Sequence, residues 1–381
     1  MHPWMNDERT MIRDAARRFA EGAIAPISEE LWEGQGFPYD VWRQAGELGF
    51  TGLPYPEAHG GGGGSWLSFV IVLEELARVD CAVANSLMAN SSVASLLNNF
   101  GSDAQKHQFL RPILDGSRIG SIALTEPNAG SDAASIQTRA TLVDGHWSIH
   151  GAKIFISNSG TEVSGPLVLA AVTGKKPDGR SEISNIIVPA GTPGFSTGKK
   201  LKKIGWRASS TYELFFDNCR VPAENLLGER GAGLRQTLST INTGRILIGA
   251  MALGILQGSL DRSTAYMKDR SQFGKPIASF QALQFKLADM ATHTHAARLM
   301  LYQAAALKDE GLPFDREASM AKLFATERAM EAAHQAIQIH GGYGIMSEYP
   351  VSRAFGDAKV LEIVEGTSEI QRMIISRDLL K

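Results

Sequence analysis

Three long segments with helical periodicity in the second half of the chain constrain the fold most strongly. Apolar residues recur at helical spacing over residues 234–269, 280–310 and 314–339. The breaks between these segments, at 274–276 and 311–313, are short and contain glycine and proline. Long helices joined by short loops pack as antiparallel neighbours, so we expect a four-helix bundle over residues 226–381.

The first two thirds of the chain divide into a helical and a β segment. Residues 1–117 show helical periodicity, and the glycine run at 60–64, which no strand precedes, predicts a turn between helices. Residues 118–225 contain short β-branched segments between turns, and Asp144-Gly145 predicts a hairpin. We therefore expect a mainly α protein with an inserted antiparallel β-sandwich or barrel, in the order N-terminal helical domain, middle β domain, C-terminal four-helix bundle.

The charge balance and the cysteines exclude several classes of protein. The chain carries 38 basic and 40 acidic residues without a basic block, which argues against a nucleic-acid partner. Cys81 and Cys219 lie in unrelated contexts, which indicates a reducing compartment and excludes a metal site made of cysteine thiolates. No signal peptide is evident, and the apolar stretch 246–257 is too short to span a membrane. We therefore expect a cytoplasmic protein with no membrane span.

The acid Glu365 is the strongest catalytic candidate. It follows an apolar run and precedes Gly366 and a helix start, where Thr367 or Ser368 can act as N-cap. Apolar residues at 370, 373 and 374 predict that this helix packs one face inward. Held among the apolar residues 363, 364 and 370, the carboxyl would be desolvated and its pKa raised, as a base near neutral pH requires. A solvated acid outside a helix is the alternative, and on this segment alone the more frequent one.

Two polar loops are candidates for ligand binding. Residues 122–132 leave a strand and carry hydroxyls, glycine and backbone donors, a composition suited to a phosphate or a planar polar ligand, or to an ordinary turn. Arg270 and Lys275 flank Gly274 after a helix, a pattern that fits an anion or a solvated helix end. Motifs of serine hydrolases, zinc proteases and P-loop enzymes are missing from the sequence.

Four motifs in one order make the chain resemble the acyl-CoA dehydrogenase flavoprotein family over essentially its whole length. They are LTEPNAGSD at 124–132, RSQFGKP at 270–276, QIHGGYG at 338–344 and EGTSEIQ at 365–371. The resemblance implies the three-part fold given above and FAD bound between the β domain and the bundle. It also implies that part of the FAD site comes from a neighbouring subunit, and hence a homotetramer built as a dimer of dimers.

The resemblance assigns three sets of site residues. The catalytic base is Glu365, and the backbone N–H of Glu365 would polarise the thioester carbonyl together with a flavin hydroxyl. The substrate-binding residues are Ser131, Asn242, Arg245 and Gly366. The cofactor-binding residues are Ile122, Ala123, Leu124, Thr125, Gly130, Ser131, Phe155, Ile156, Ser157, Arg270, Gln272, Phe273, Phe280, Gln281, Gln338, Ile339, His340, Gly341, Gly342, Thr367, Ser368 and Glu369.

The activity implied is the α,β-dehydrogenation of an acyl-CoA thioester to a trans-2-enoyl-CoA in fatty-acid β-oxidation. Glu365 would take the α-proton, the flavin the β-hydride, and an electron-transfer flavoprotein the electrons. The nearest alternative is a flavin oxidase, or a dehydrogenase of a carrier-protein-bound acyl thioester, on the same fold. An intact 365–368 motif argues against a flavin monooxygenase of this fold, and the lack of a basic C-terminal extension against a DNA-binding relative.

Four residues depart from the common family pattern. Asn242 replaces a frequent acid near the CoA, and Phe155 replaces a frequent tryptophan. Val364 stands before the base where an aromatic is common, which predicts a wider or differently shaped acyl pocket. Gly356 replaces a frequent arginine, which we interpret as the loss of a surface ion pair. Gly244 stands where some members carry the base, so Glu365 is the single candidate.

Overall fold

The first third of the chain is helical in the computed structural model, which describes residues 4–34 and 36–381. Residues 1–3 and 35, which belong to the predicted N-terminal domain, lie outside the described residues. Short 3-10 and π segments connect the helices, and the glycine run at 60–64 lies in the turn before α4. The helices are α1 Asp7–Phe19, α2 Ser28–Gly34, α3 Tyr39–Glu47, α4 Trp66–Ala77, α5 Cys81–Phe100, α6 Asp103–Gln105 and α7 Arg111–Leu114.

Helix α4 is the central helix of this segment and is buried on all sides from Leu67 onward. Its N-terminus is capped twice. The Ser65 hydroxyl accepts a hydrogen bond from the Ser68 N–H (3.0 Å). The carboxylate of Asp309, 243 positions later in the chain than Trp66, accepts hydrogen bonds from the N–H groups of Trp66 (2.7 Å) and Leu67 (3.1 Å). Free N–H groups at a helix start favour negative charge, so this contact joins the N-terminal helices to the bundle.

An eight-stranded sheet follows, in the order β6-β7-β3-β2-β4-β5-β8 with β1 also on β4. The predicted hairpin is β2–β3, and Asp144 and Gly145 both have positive φ at its turn. Most pairings are antiparallel as predicted, but β1 and β2 run parallel to β4 because long connections separate them from it. The strands are β1 Ile119–Ala123, β2 Arg139–Val143, β3 His146–Ser157, β4 Ser164–Lys175, β5 Ser181–Val188, β6 Phe195–Lys200, β7 Thr211–Pro222 and β8 Leu226–Leu227.

The last third is a helical bundle whose long helices match the periodicity. A small hairpin, β9 Ser271–Gln272 and β10 Lys275–Pro276, separates the first two helices. Among the described helices, the one at Gly233–Asp269 is long and apolar enough to cross a membrane, but 78% of its most apolar 18-residue window is buried inside the protein. The helices are α8 Gly233–Asp269, α9 Gln281–Asp309, α10 Asp315–His340, α11 Pro350–Leu361 and α12 Ser368–Leu379. The predicted order of helical, β and helical segments is confirmed.

Two local predictions are wrong. In this chain the buried side chains of α12 are the polar Ser368 and Gln371, whereas of the three apolar positions expected inside Met373 is 51% exposed and Ile370 and Ile374 are only half-buried. Gly356 is buried instead of lying on the surface. A Cβ at this position would lie 2.3 Å from the Ile204 carbonyl oxygen, so the close approach of two backbones leaves no space for a side chain.

Candidate active site

Glu365 lies in the turn between α11 and α12, in a conformation that few residues adopt. Its φ is +52° and that of Gly366 is +91°, so two successive residues are left-handed. Such a conformation is unfavourable for a side-chain-bearing residue and persists only where the surroundings enforce it. Helix α12 then starts at the N-cap Thr367, as predicted, whose hydroxyl accepts from the Ile370 N–H (3.4 Å).

Two buried side chains hold this turn. The Lys322 ammonium of α10 donates to the Gly366 carbonyl oxygen (2.7 Å). The Gln371 amide donates to the same oxygen (2.7 Å) and to that of Glu365 (3.2 Å). Both side chains are fully buried. They therefore fix the backbone on which the Glu365 carboxylate is mounted.

Helix α8 forms the opposite wall. A Cβ built on Gly244 would lie 2.6 Å from Oε2 of Glu365, so the missing side chain is the space that the carboxylate occupies. Arg245, the next residue, is 6% exposed and donates to the Asn242 amide oxygen (2.6 Å). The Asn242 amide in turn donates to Asp315 (2.7 Å). Two of the predicted substrate-binding residues, Asn242 and Arg245, thus lie on the helix that faces the base.

Burial controls the protonation of Glu365. It raises the pKa of the carboxyl to about 7, and the charges of Arg245 and Lys322 act in the opposite direction. The surroundings differ in part from our expectation, because Ile363 is 54% exposed and contributes little, whereas Val364 packs against the core. The turn and the two helices α8 and α10 provide the burial instead. A carboxyl that titrates near neutral pH can accept a proton from a weak carbon acid.

The end of β1 and the loop that follows it, which together contain the predicted residues 122–125, are held against β3. Lys153 is fully buried, and its ammonium donates to the Leu124 carbonyl (2.9 Å) and to the Glu126 carboxylate (2.8 Å). The Ile154 N–H donates to the Thr125 carbonyl (3.0 Å). Ala123 is buried and Thr125 partly exposed, whereas Gly130 and Ser131 are exposed at the end of the loop. The loop therefore offers its backbone, its hydroxyls and Gly130 to a ligand.

Phe155 protrudes from β3 at a β-bulge. Its φ is +62°, the pairing of β3 with β7 shifts register between Lys153 and Ile156, and the ring is 64% exposed. A bulge redirects side chains, and a left-handed aromatic residue is a strained feature. Ile156 packs in the sheet core, so only its backbone is available to a ligand, whereas Ser157 is partly exposed.

A second cleft, of about 690 Å³, opens between α8, the β9–β10 hairpin and the end of α10. Nine of the predicted cofactor-binding residues line this cleft, whereas Gln281, which was predicted with them, does not. Arg270 lies over the ring of Tyr343 (5.6 Å) and Lys275 over that of Phe280 (4.6 Å). The predicted residues in the cleft are Arg270, Gln272, Phe273, Phe280, Gln338, Ile339, His340, Gly341 and Gly342.

Sequence reasoning missed several residues of these sites. The cleft also contains Tyr266, Ile277, Leu283, Tyr343 and Met346. Sequence reasoning also missed Lys322 of α10, which holds the base turn. A signal existed, because this lysine interrupts the alanine face of α10 at 318, 325 and 329, where helical spacing predicts burial. Within residues 4–34 and 36–381, no group of three or more His, Cys, Asp or Glu side chains is placed to hold a metal ion.

Comparisons with known proteins agree across the whole chain. Three family models match, described as the N-terminal, middle and C-terminal domains of acyl-CoA dehydrogenase, over residues 6–117, 121–219 and 231–380. A probable acyl-CoA dehydrogenase of Bacillus subtilis is 47% identical over 378 residues, covering 99% of each chain.

Two solved structures superpose closely. Butyryl-CoA dehydrogenase from Megasphaera elsdenii has a TM-score of 0.95 and 42% identity, covering 99% of each chain. A chain of a structure described as an electron transferring flavoprotein of Acidaminococcus fermentans has a TM-score of 0.96 and 43% identity, covering 100% of both chains.

Proposed function

Because this chain belongs to the acyl-CoA dehydrogenase family, we propose that Glu365 is the base with which it dehydrogenates a short acyl-CoA. The reaction of the family, FAD-dependent α,β-dehydrogenation, gives a trans-2-enoyl-CoA. The observation that carries the assignment of the base is the position of Glu365, whose carboxylate fills the space beside Gly244 and has a pKa of about 7. The short acyl group rests on the likeness to a butyryl-CoA dehydrogenase.

The chain's own residues supply the proton transfer. A Glu365 oxygen forms a new O–H bond with the α-proton while the α C–H bond breaks. The electron pair of that C–H bond becomes the second bond between the α- and β-carbons. Burial makes the carboxylate more basic than a solvated one, and the clamped turn keeps it in one place. The N–H of Glu365 is a candidate donor to the thioester carbonyl, whose polarisation acidifies the α-carbon.

The residues present fit FAD. The loop 122–125 and the strained, exposed Phe155 provide backbone donors and an aromatic surface in one part of the chain. The second cleft provides Arg270, glutamine amides and aromatic rings, which suit a nucleotide with its phosphates. When bound, the flavin supplies the acceptor for the hydride that leaves the β-carbon.

The direct test is anaerobic mixing of the purified, yellow protein with a panel of straight and branched acyl-CoAs. We expect bleaching of the flavin absorbance with butyryl-CoA and formation of the enoyl-CoA. A protein that holds FAD but is not bleached by any member of the panel would contradict the proposal. Rapid reoxidation by oxygen would instead identify an oxidase.

Replacing Gly244 with alanine should displace the base without unfolding the protein. The new Cβ would lie 2.6 Å from Oε2 and 3.0 Å from Cδ of Glu365, and both belong to the end of a flexible side chain. A displacement of about an ångström can lower the rate ~10²-fold. Stopped-flow flavin reduction measures the effect.

Gly249→Ala is the matched control for this variant. It lies on the same helix, and its Cβ would meet the Leu301 side chain at 2.3 Å instead of the base. It should lower the melting temperature but keep the rate of flavin reduction. An equal loss of the flavin-reduction rate in both variants would show that any added methyl group on α8 has this effect. Gly244 would then give no support for the position of the base.

The second cleft supports a homotetramer in which each copy completes a neighbour's FAD site. Its rim leaves large apolar side chains exposed in the single chain, among them Phe273 at 91% and Met346 at 44%. Exposed apolar groups of this size are typical of an interface. The tetramer remains our proposal, and its test is the mass of the purified protein.

Phe273→Asn should weaken assembly and FAD retention together. The φ of Phe273 is +53°, a conformation that asparagine adopts readily, so the backbone is not strained further. Light scattering after gel filtration, with the ratio of flavin to protein absorbance, measures both properties. Leu142→Asn, at an exposed apolar residue of β2 outside the cleft, is the control and should change neither. FAD retained by monomeric Phe273→Asn would contradict a shared site.

The electron acceptor that we propose is an electron-transfer flavoprotein, supported by the likeness to a chain from the Acidaminococcus fermentans structure. Reduction of such a protein by the enzyme and butyryl-CoA is the measurement. A cytoplasmic location is consistent with two cysteines, Cys81 and Cys219, that are both buried and unpaired.

A further inference from the structure

Lys322 is an unusual residue, because its side chain is fully buried in the middle of α10. Removing an ammonium group from water is unfavourable unless the protein compensates for it. Among the described residues, its hydrogen bond is to the Gly366 carbonyl oxygen at 2.7 Å. Burial lowers the pKa of this ammonium to about 8, against the attraction of Glu365. A lysine in this position therefore needs an explanation beyond the filling of space.

We propose that Lys322 is a positioning residue of the reaction, whose positive charge behind the base turn keeps Glu365 ionised and aimed at the wall formed by Gly244. The inference rests on the proposed role of Glu365 as the base. It assigns to Lys322 no contact with substrate or cofactor. It acts through the backbone of Gly366 and through its charge.

The hydrogen bond alone does not explain the lysine. The Gln371 amide already donates to the same Gly366 oxygen at 2.7 Å and also to that of Glu365. A neutral donor therefore satisfies this carbonyl, and an apolar residue could fill the remaining volume. What the ammonium adds is a charge, placed one peptide unit from the carboxylate-bearing residue.

Lys322 shares this role with one other cation, Arg245, which has the larger effect on Glu365. Two cations act on Glu365, Arg245 from α8 and Lys322 from α10. Arg245 is hydrogen-bonded to Asn242, which is bonded to Asp315, and the Asp315 charge also acts on Arg245. Glu362 and Glu369 act on Lys322. Asn242, which lies between Arg245 and Asp315, carries no charge itself. Removing Lys322 therefore leaves one cation acting on the base, Arg245, whose charge is partly balanced by that of Asp315.

The test is the pH dependence of flavin reduction by butyryl-CoA in Lys322→Met. The base must be ionised to accept a proton, so the rate rises with pH through the pKa of Glu365. Loss of a nearby cation favours the protonated carboxyl. We expect the rising limb to move to higher pH by about one unit, and the smaller ionised fraction should then lower the rate at pH 7 about fivefold. The chain should remain folded, because Gln371 still binds the turn.

Lys203→Met is the matched control. Its ammonium donates to the Ser209 carbonyl (2.6 Å) and the Thr211 hydroxyl (2.7 Å), and burial lowers its pKa to about 8 as well. The charges that act on it are those of Lys200 and Asp357 and not that of Glu365. Removing this buried lysine should leave the limb where the wild type has it.

A second readout does not depend on turnover. The pKa of Glu365 in the folded protein is raised above the usual 4.5, so its stabilising contribution is present below about pH 4.5 and is lost as pH rises through about 7. The melting temperature of Glu365→Gln minus that of wild type should therefore grow over this window. In the Lys322→Met background the growth should extend to higher pH.

The outcomes separate the two claims. In Lys322→Met, the rate could be lower at every pH while the pH at which it rises stays the same and the melting-temperature difference grows over the same pH range. That result would show a structural role and overturn the inference. If Lys322→Met does not fold, Lys322→Gln, which keeps a donor but not the charge, must show both shifts. If the wild type is not reduced by any acyl-CoA, the proposed function fails, and the melting window still decides whether Lys322 controls Glu365.

Discussion

Replacing Glu365 with glutamine will leave a folded, yellow protein whose flavin is reduced by butyryl-CoA at least ~10²–10⁴-fold more slowly. The amide is nearly isosteric, and the main-chain contacts of the turn with Gln371 do not involve the side chain. What is lost is the oxygen that accepts the α-proton, for which this part of α8 offers no substitute, since position 244 is glycine.

The measurement is single-turnover flavin reduction at matched FAD content. Glu327→Gln is the control, because this carboxylate of α10 pairs with Arg372 (2.8 Å) and is outside the base turn. Its rate should equal that of the wild type. A Glu365→Gln variant with the wild-type rate would remove Glu365 from the mechanism.

Moving the carboxylate to the opposite wall will restore part of the lost activity. Glu365→Gly alone should be as slow as Glu365→Gln, and the turn should tolerate it, because glycine adopts a φ of +52° without strain. The three atoms nearest to a Cβ at position 244 all belong to the Glu365 side chain, so this replacement clears the space for a new one. Glu365→Gly with Gly244→Glu then places a carboxylate in the same volume from α8.

We expect the double variant to reduce flavin at least about tenfold faster than Glu365→Gly, yet about 10²-fold slower than wild type, because the new base is not placed to within an ångström. The acyl-CoA preference should also shift, since the side chain enters from another wall. Glu365→Gly with Gly244→Gln is the control of equal size that lacks a base. Equal rates in the Glu and Gln double variants would show that position 244 does not face the substrate.

Periodicity and turn chemistry predict the architecture well, because both are local properties. The long helices α8, α9 and α10 begin and end within a few residues of the predicted bounds, and Asp144-Gly145 forms the predicted hairpin turn. The same reasoning failed for α12, where the buried face carries Ser368 and Gln371. A polar face is buried there because it serves the base turn, and of the apolar positions that we expected inside, Met373 lies at the surface of the single chain while Ile370 and Ile374 are half-buried.

Long-range contacts could not be predicted from local pattern. The motif comparison interprets Gly356 as the loss of a surface ion pair, yet its neighbour is the carbonyl of Ile204, 152 positions earlier in the chain. The left-handed backbone of Phe155 depends on the register of β3 against β7. Motif resemblance nominated Glu365 but not the reason for its basicity, which comes from burial by helices distant in sequence, against the opposing charges of Arg245 and Lys322.

The cap that Asp309 provides for α4 has a consequence for synthesis of the chain. The two partners are 243 positions apart, and helices α8 and α9, which also cover α4, emerge late. At ~5–20 residues per second, α4 leaves the ribosome on the order of ten to fifty seconds before its cap. During that interval its apolar faces lack their final partners, so the nascent first third cannot reach its mature state and is open to chaperones or to aggregation.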